Sequence, residues 1–562
     1  MQKRIYFATI NLYHLQEVHF MKRIFAIFTA IAMLAGCFAL FAVAEDAPVT
    51  YYIDAVNGND ANDGRTQATA VQSVNGLKIT DLGPGTQFLF KNGGVYDCNV
   101  IISEWEGTKE NPIVISSYGE GETAILKTDL HTEVFQLIDC SYVTISDLAI
   151  TAPNGGGIWI DTLNKTSVGI TLDNLYFYDM QNYTVTSRDD FSRGAAAARA
   201  AVIVKGLPAR SRYAVNDLTV SDCEVYNCGN GVILWGSWND AQQPWCETEE
   251  EIDPVYNTGV LIEHCYFHDM DAEAVVVGMC DGALVTHCRA INCCQGLGVD
   301  ENGEILYFTA AMWFWGSENS TIQYCEIAGQ KNVGDGMAVD FDSHSNNCTY
   351  QYIYSHDNTR FMCNCPNYSG QHNNTVRYCL SVNDNGGRSA CAGGAGEYGF
   401  RFYNNTIINC GEFQFFNIYD SFIANNIIVP ADTEVVSYRL EELLLAGNTF
   451  TNNCYYNVLT PLFEPTAINT KPGFTADDFA DYNSFTLSKD SPLIGAGVAV
   501  EDDCTVDFFG NPIESNNIGC YTGTGTKAAY EDEDPISWLI RMFKHVIEIL
   551  VHEIMIALED VL

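Results

Sequence analysis

Short segments of the chain repeat one pattern. An apolar residue is followed by two mostly polar ones, then a fourth position that is Cys, Asn, Leu or Ile, then one or two residues and another apolar one. The segments read ISDLAI, LDNLYF, VSDCEV, IEHCYF, VTHCRA, IQYCEI, YQYIYS, VRYCLSV, FYNNTI, IANNII and LAGNTF. Their fourth positions are Leu148, Leu175, Cys223, Cys265, Cys288, Cys325, Ile353, Cys379, Asn405, Asn426 and Asn448. Most intervals are 21–28 residues, with longer ones where segments are inserted. The units are rich in Val, Ile, Tyr, Phe and Thr and punctuated by Gly and Asn, so each reads as a coil of short strands. A fixed period of this length marks a solenoid, in which every coil buries its apolar positions against its neighbours. The fourth position then forms one inward column down the stack.

Three stretches carry a family resemblance: YYIDAVNGNDANDGRT (51–66), NPIVISSYGEGETAIL (111–126) and the coil series itself. Over roughly residues 50–520 the chain resembles the right-handed parallel β-helix proteins of the pectate-lyase-like superfamily. The resemblance implies an all-β, right-handed parallel β-helix of about eleven or more coils. It also implies an extracellular carbohydrate-active protein, a polysaccharide lyase or glycosidase, with its site along one sheet. The fold does not choose among these activities.

The two ends read differently from the solenoid. Met21-Lys22-Arg23 opens a second start, followed by an apolar run to Phe41 and then Ala42-Val43-Ala44. A basic region, an apolar region and an A-x-A site predict export with cleavage after Ala44, leaving residues 1–44 as a signal region. Leu34-Ala35-Gly36-Cys37 is the rival lipoprotein signal, but the apolar run continues past Cys37. A secreted or cell-surface protein follows from either. The β-helix is expected over 45–522, with a linker at 523–535. Beyond it Ile536, Ile540, Phe543, Ile547, Leu550, Ile554, Ala557 and Val561 keep a heptad spacing, which predicts an amphipathic helix over 536–562. Its charged residues argue against a membrane span. Packing or self-association is the expected use of the helix, and an interfacial contact with a membrane surface is the alternative. Insertions at 176–216, 236–258 and 296–311 interrupt the coils, as loops walling a site do.

Composition narrows the partners. With 71 Asp+Glu against 28 Lys+Arg, the formal net charge is −43, which excludes nucleic acid and disfavours anionic polymers. The 21 cysteines would suggest disulfides in an exported chain. Their recurrence at the fourth position fits a column of small buried thiols instead. Cys363-x-Cys365 is a weak metal-pair signal.

The candidate chemistry centres on GDGMAVDFDS (334–343). Met337, Val339 and Phe341 alternate with Ala338, Asp340 and Asp342, so a strand would turn the apolar set inward and two carboxylates outward. Asp335 lies between two glycines just upstream. Aligning coils, with one residue of slack, stacks Trp313 and Trp315 on Asp340 and Asp342, sets Trp235 in line with Trp315 and supplies Asn364 one coil later. Indole faces beside carboxylates suit sugar rings. Two carboxyls two residues apart on a strand lie roughly 6–7 Å apart at Cβ, which is compatible with the acid–base pair of a glycosidase. A second alignment, of HDNTR (356–360) with NDNGGR (383–388), stacks Asp357 near Asp384 and Arg360 near Arg388, either as a structural ladder or to bind an acidic sugar. Glu397 adds one more acid.

Three functions follow. The first is a secreted glycoside hydrolase on a polysaccharide, needing no cofactor, with Asp340 and Asp342 as the acid–base or nucleophile pair. Asp335, Asp384 and Glu397 are then candidate catalytic partners, and Trp235, Trp313, Trp315, Asn364, Arg360 and Arg388 bind substrate. The second is a uronate lyase with Ca²⁺ on Asp335, Asp340 and Asp342 and a base among Arg360, Arg388 and Lys331. The third is a non-enzymatic, glycan-binding or adhesive surface solenoid.

Overall fold

The computed structural model describes residues 49–523 except 181–198, 205–212, 236–254, 297–308, 332–334, 366–369, 388, 392–395, 432–436, 439–445, 459, 477–480 and 502. The signal region, the C-terminal helix, Arg388 and most of the three insertions therefore lie outside the described residues.

From Thr50 onward the chain is a parallel β-helix. Every pairing between its strands is parallel among the described residues, and each strand pairs with its counterpart one coil later. One sheet of twelve strands takes one strand from each coil, from Val100–Ser103 to Ser437–Tyr438. A sheet of twenty-five strands bends around a corner and takes strands on both sides of it, such as Leu261–Glu263 and Tyr266–His268. The all-parallel solenoid agrees with the resemblance drawn from the coil segments.

The repeated pattern has a local cause. At the bend, the third position of each segment adopts a left-handed backbone, with φ near 54° at His264 and His287, 50° at Tyr324 and 56° at Tyr352. That conformation is costly for bulky residues. Here it is offset by stacking of their rings between coils, at 5.1 Å for His264–His287 and His287–Tyr324 and 4.6 Å for Tyr324–Tyr352. The bend turns the fourth residue into the core. Cys223, Cys265, Cys288, Cys325 and Cys379 are accordingly buried free thiols. Several lie against the backbone of the preceding coil, as Cys265 Sγ does on the Val220 carbonyl at 3.6 Å.

Further along, the column changes to an asparagine ladder. Asn405 Oδ1 accepts from the Cys379 N–H, Asn426 Oδ1 from the Asn405 N–H and Asn453 Oδ1 from the Asn426 N–H, each at 3.0 Å. Asn453, not the expected Asn448, continues the column, and Glu464 closes it by accepting the Asn453 N–H at 2.9 Å. Asn448 belongs to another corner, where its Oδ1 accepts from the Ser421 N–H. The segment LAGNTF imitates the pattern five residues too early, at the corner of Ser421 rather than at the bend of Asn426.

Residues 491–522 fold back as a strap over the outer face of the bent sheet. Tyr352 Oη donates to the Val506 carbonyl at 2.9 Å, Tyr378 Oη to Asp503 at 2.8 Å, and Asn404 Nδ2 to the carbonyls of Asn517 and Gly519 at 3.0 Å. Phe508, Phe509, Ile518 and Cys520 bury against that face.

Candidate active site

The site lies on the outer face of the twelve-stranded sheet, where Met337–Asp342 sits between Ala310–Trp315 and Arg360–Cys365. Alternation holds from Val339 onward: Val339 and Phe341 are fully buried, and Phe341 packs against Phe314 and Tyr350 inside the coil, whereas the buried Met337 falls in the register column of Ala310 and Arg360. Trp313 pairs with Asp340 in register, as the one-residue slack required. The face also carries an apolar strip in which Ala200, Ile203, Ile233 and Val276 pack together with Trp159, Trp235 and Trp313.

The strand bearing the acids is held from within. Tyr350 Oη donates to the Asp340 carbonyl at 2.6 Å, and Gln371 Nε2 to the Asp342 carbonyl at 2.7 Å. Both side chains are completely buried, so the positions of the carboxyls outside are fixed by the core. The repeat pattern marks Tyr350 as the first position of YQYIYS, but it does not mark Gln371.

The three acids differ in surroundings. Asp340 is 8 % exposed, and its Oδ1 is buried without a hydrogen-bond partner. Burial, with Cys363, Asp342 and Asp335 nearby, pushes its carboxyl well above the usual range. Asp342 Oδ1 accepts from the Ser343 N–H at 2.7 Å and its hydroxyl at 3.1 Å. Burial pushes Asp342 up to about 6 despite these donors. Asp335 Oδ1 accepts from Arg360 Nη1 at 2.8 Å, and burial, opposed by that guanidinium, sets Asp335 at about 6. Three carboxyls thus share one patch and hold protons to unusually high pH.

Tryptophans flank the patch on one side. Trp235 lies in line with Trp315, with their rings 4.9 Å apart and nearly perpendicular, and Trp313 6.3 Å from Trp235. Gly278 separates Trp235 from Trp315 along the ladder. A Cβ there would meet the Leu234 carbonyl at 2.3 Å and both indoles at 3.3 Å, so only glycine fits. Trp315 is 3 % exposed and packs on Met279, which makes it a wall behind the half-buried Trp235 and Trp313.

Other expected site residues lie elsewhere. Register pairs Asp340 with Cys363 and Phe341 with Asn364. The outward neighbour is therefore the half-buried Cys363, whereas Asn364 points inward and donates to Glu397 Oε2 at 3.2 Å. Glu397 is completely buried and also accepts from the N–H and side-chain amide of Asn374. The second alignment slips by one residue as well. Asp357 stacks on Asn383, and Asp384 lies inside, accepting from the Ser355 hydroxyl at 2.6 Å, the Ser381 hydroxyl at 2.7 Å and the Asn358 N–H at 2.9 Å. Arg360 joins the patch through Asp335. Lys331 donates to the Asp357 carbonyl. Among the described residues no group of three or more His, Cys, Asp or Glu side chains is placed to hold a metal ion, the three aspartates included.

No family model matches the chain. A lacto-N-biosidase of Bifidobacterium longum subsp. longum is 24% identical over 584 aligned residues, covering 88% of this chain and 34% of that protein. The chain thus spans about a third of that relative's length. Among solved structures, the GH136 lacto-N-biosidase of Eubacterium ramulus is 18% identical with a TM-score of 0.48, covering 75% of this chain and 67% of that one. The complex of XylC with xylose gives 10% identity, a TM-score of 0.49 and coverages of 85% and 99%. Pectate lyase Pel9A gives 12%, 0.36, 84% and 96%.

Proposed function

We propose that the protein is a glycoside hydrolase acting on a complex glycan, with Asp335 and Asp342 as its working pair. The observation that carries this reading is the patch of three carboxyls beside indoles, two of them titrating at about 6. The likeness to a lacto-N-biosidase over most of the chain supports it. Glycosidic cleavage needs one protonated carboxyl to give its proton to the leaving oxygen and one ionised carboxyl to act as base or nucleophile. Catalytic groups work best when they titrate near the working pH. Asp335 and Asp342 meet that condition. Asp340, which burial shifts further above the usual carboxylate range, stands beside them as a buried polar neighbour. Strand alternation alone points to Asp340 and Asp342; burial shifts the pair to Asp335 and Asp342.

In this scheme the Ser343 donors favour the ionised form of Asp342, which serves as base or nucleophile. Arg360 keeps the Asp335 proton exchangeable, which suits the acid. Trp313 and Trp235 border the sugar. Of the candidate lyase bases, Arg360 is engaged by Asp335 and Lys331 by a carbonyl, and Arg388 lies outside the described residues. Export to the cell exterior, read from residues 21–44, belongs to the same proposal.

The test is a panel of chromogenic glycosides, lacto-N-bioside included, with the three Asp→Asn variants. Asp335→Asn and Asp342→Asn should each lower kcat by about a thousandfold or more, and Asp340→Asn far less. Near-normal turnover in either of the first two removes that residue from the pair. UV-absorbing unsaturated products would indicate a lyase, and no product from any glycan a binding protein.

A further inference from the structure

We propose that Arg199, Asp271 and Glu273 form a subsite for a second, uncharged sugar unit of the substrate; this rests on the glycoside-hydrolase reading above. Glu273 belongs to the outer edge of the same face. Its N–H donates to Asn230 Oδ1 at 3.3 Å and its carbonyl accepts from the Gly231 N–H at 2.9 Å, placing it in one column with Asn230 and Ala200. Ala200 packs in the outer apolar strip, so the column faces outward. Followed along the sheet, it runs through Ala310 and Met337 to Arg360, the partner of Asp335. Glu273 stands two strands before the acids, about 10 Å along the stack at the usual strand spacing. Two pyranose rings span a similar length.

The cluster is built rather than incidental. Arg199 is 3 % exposed, and its Nη1 donates to Asp271 Oδ2 at 3.0 Å. Its side chain lies across Gly229, where a Cβ would meet Arg199 Cβ at 2.7 Å and Cζ at 3.0 Å. Glu273 is 6 % exposed, and burial, opposed by Arg199, pushes its carboxyl up to about 7. Polar groups on this side of the face lack partners independently of that cluster. The buried Thr309 hydroxyl, beside Ala310, has none, nor do the Trp313 indole N–H and Asp340 Oδ1. Buried polar atoms are nearly always satisfied, and a ligand's hydroxyls would satisfy these.

The chemistry selects the ligand class. Carboxyls and a guanidinium hydrogen-bond vicinal hydroxyls in both directions. The two guanidiniums on this face are already engaged, Arg199 by Asp271 and Arg360 by Asp335, so a uronate carboxylate would have to compete with protein carboxyls for them. A neutral sugar would not.

Binding is read without turnover in the Asp342→Asn protein, by calorimetric titration with lacto-N-biose, cellobiose, xylobiose, their component monosaccharides and digalacturonate. The best neutral disaccharide should bind at least about tenfold tighter than its monosaccharides, and adding Glu273→Gln should remove that advantage while leaving monosaccharide binding unchanged. Asp271→Asn, at a half-exposed position, should weaken the disaccharide in the same sense and serves if Glu273→Gln does not fold. An advantage untouched by both substitutions, a preference for digalacturonate, or no disaccharide bound overturns the subsite. Glu273-dependent binding together with normal turnover in Asp335→Asn and Asp342→Asn would leave the subsite standing and overturn the hydrolase scheme instead.

Discussion

Two sets of buried acids distinguish the inside of the coil from its outer face. Asp384 and Glu397 lie in the core, and each is supplied with hydroxyl, amide or backbone donors. Asp335, Asp340 and Asp342 lie on the outer face, where Asp335 accepts from Arg360, Asp342 accepts from Ser343, and Asp340 Oδ1 is unpartnered. Both sets are desolvated, and both are shifted upward. The difference is access. An acid enclosed in the core by fixed donors contributes to folding and cannot meet a ligand, whereas a desolvated acid on the outer face can.

Crossed substitutions break the comparison most directly. Asp342→Asn should abolish turnover and leave the melting temperature nearly unchanged or slightly higher. Asp384→Ala should do the reverse: it strands two hydroxyls and an N–H in the core, and should cost about 2–4 kcal/mol by denaturant unfolding while folded molecules keep their turnover. If Asp384→Ala abolished turnover at full stability, the inside set would be catalytic and the distinction lost.

The pH dependence of stability gives a smaller effect. Asp335 and Asp342 titrate at about 6 folded and Glu273 at about 7, all above their ordinary values near 4. A carboxyl whose folded pKa is raised contributes stability below its unfolded pKa and loses it as pH rises through the folded one. His268 and His356 add the same sign. Burial alone would lower them, but Glu224 with Asp269, and Glu326 with Asp357, raise them. The melting temperature should therefore rise by a few degrees from pH 7.5 to 5.5, and less in an Asp335→Asn, Asp342→Asn double variant. A flat or opposite profile would mean that the face acids are solvated.

The smallest effect tests the column itself. Cys265→Ala removes one sulfur from a stacked interior position and should cost about 1–2 kcal/mol without altering activity. Loss of turnover would make the thiol column more than filling.

The solenoid was legible because its signal is redundant. The coil at Cys223, Cys265 and Cys288 repeats the same apolar alternation, and register depends on that alternation because a slip by one residue exchanges the faces. The same property explains the errors. Counting across turns whose lengths vary puts Asn364 outward and Asp384 beside Asp357, and a shift of a single residue moves each of them into the core. The same counting picks Asn448 in place of Asn453.

The sequence by itself determined the parallel coils, the inward column and the strand that turns Asp340 and Asp342 outward, since period and alternation are local properties that many coils state in common. Only the tertiary structure decided which acids are enclosed in the core and which stand on the outer face. The donors to Asp384 and Glu397 come from neighbouring coils, 23–33 residues away apart from the near Ser381. Arg360 reaches Asp335 from the next coil, and Glu273 joins Arg199 and Asp271 across an insertion. Burial and hydrogen bonding belong to neighbours in space, and in a stacked coil those neighbours are set by turn lengths that no single segment encodes.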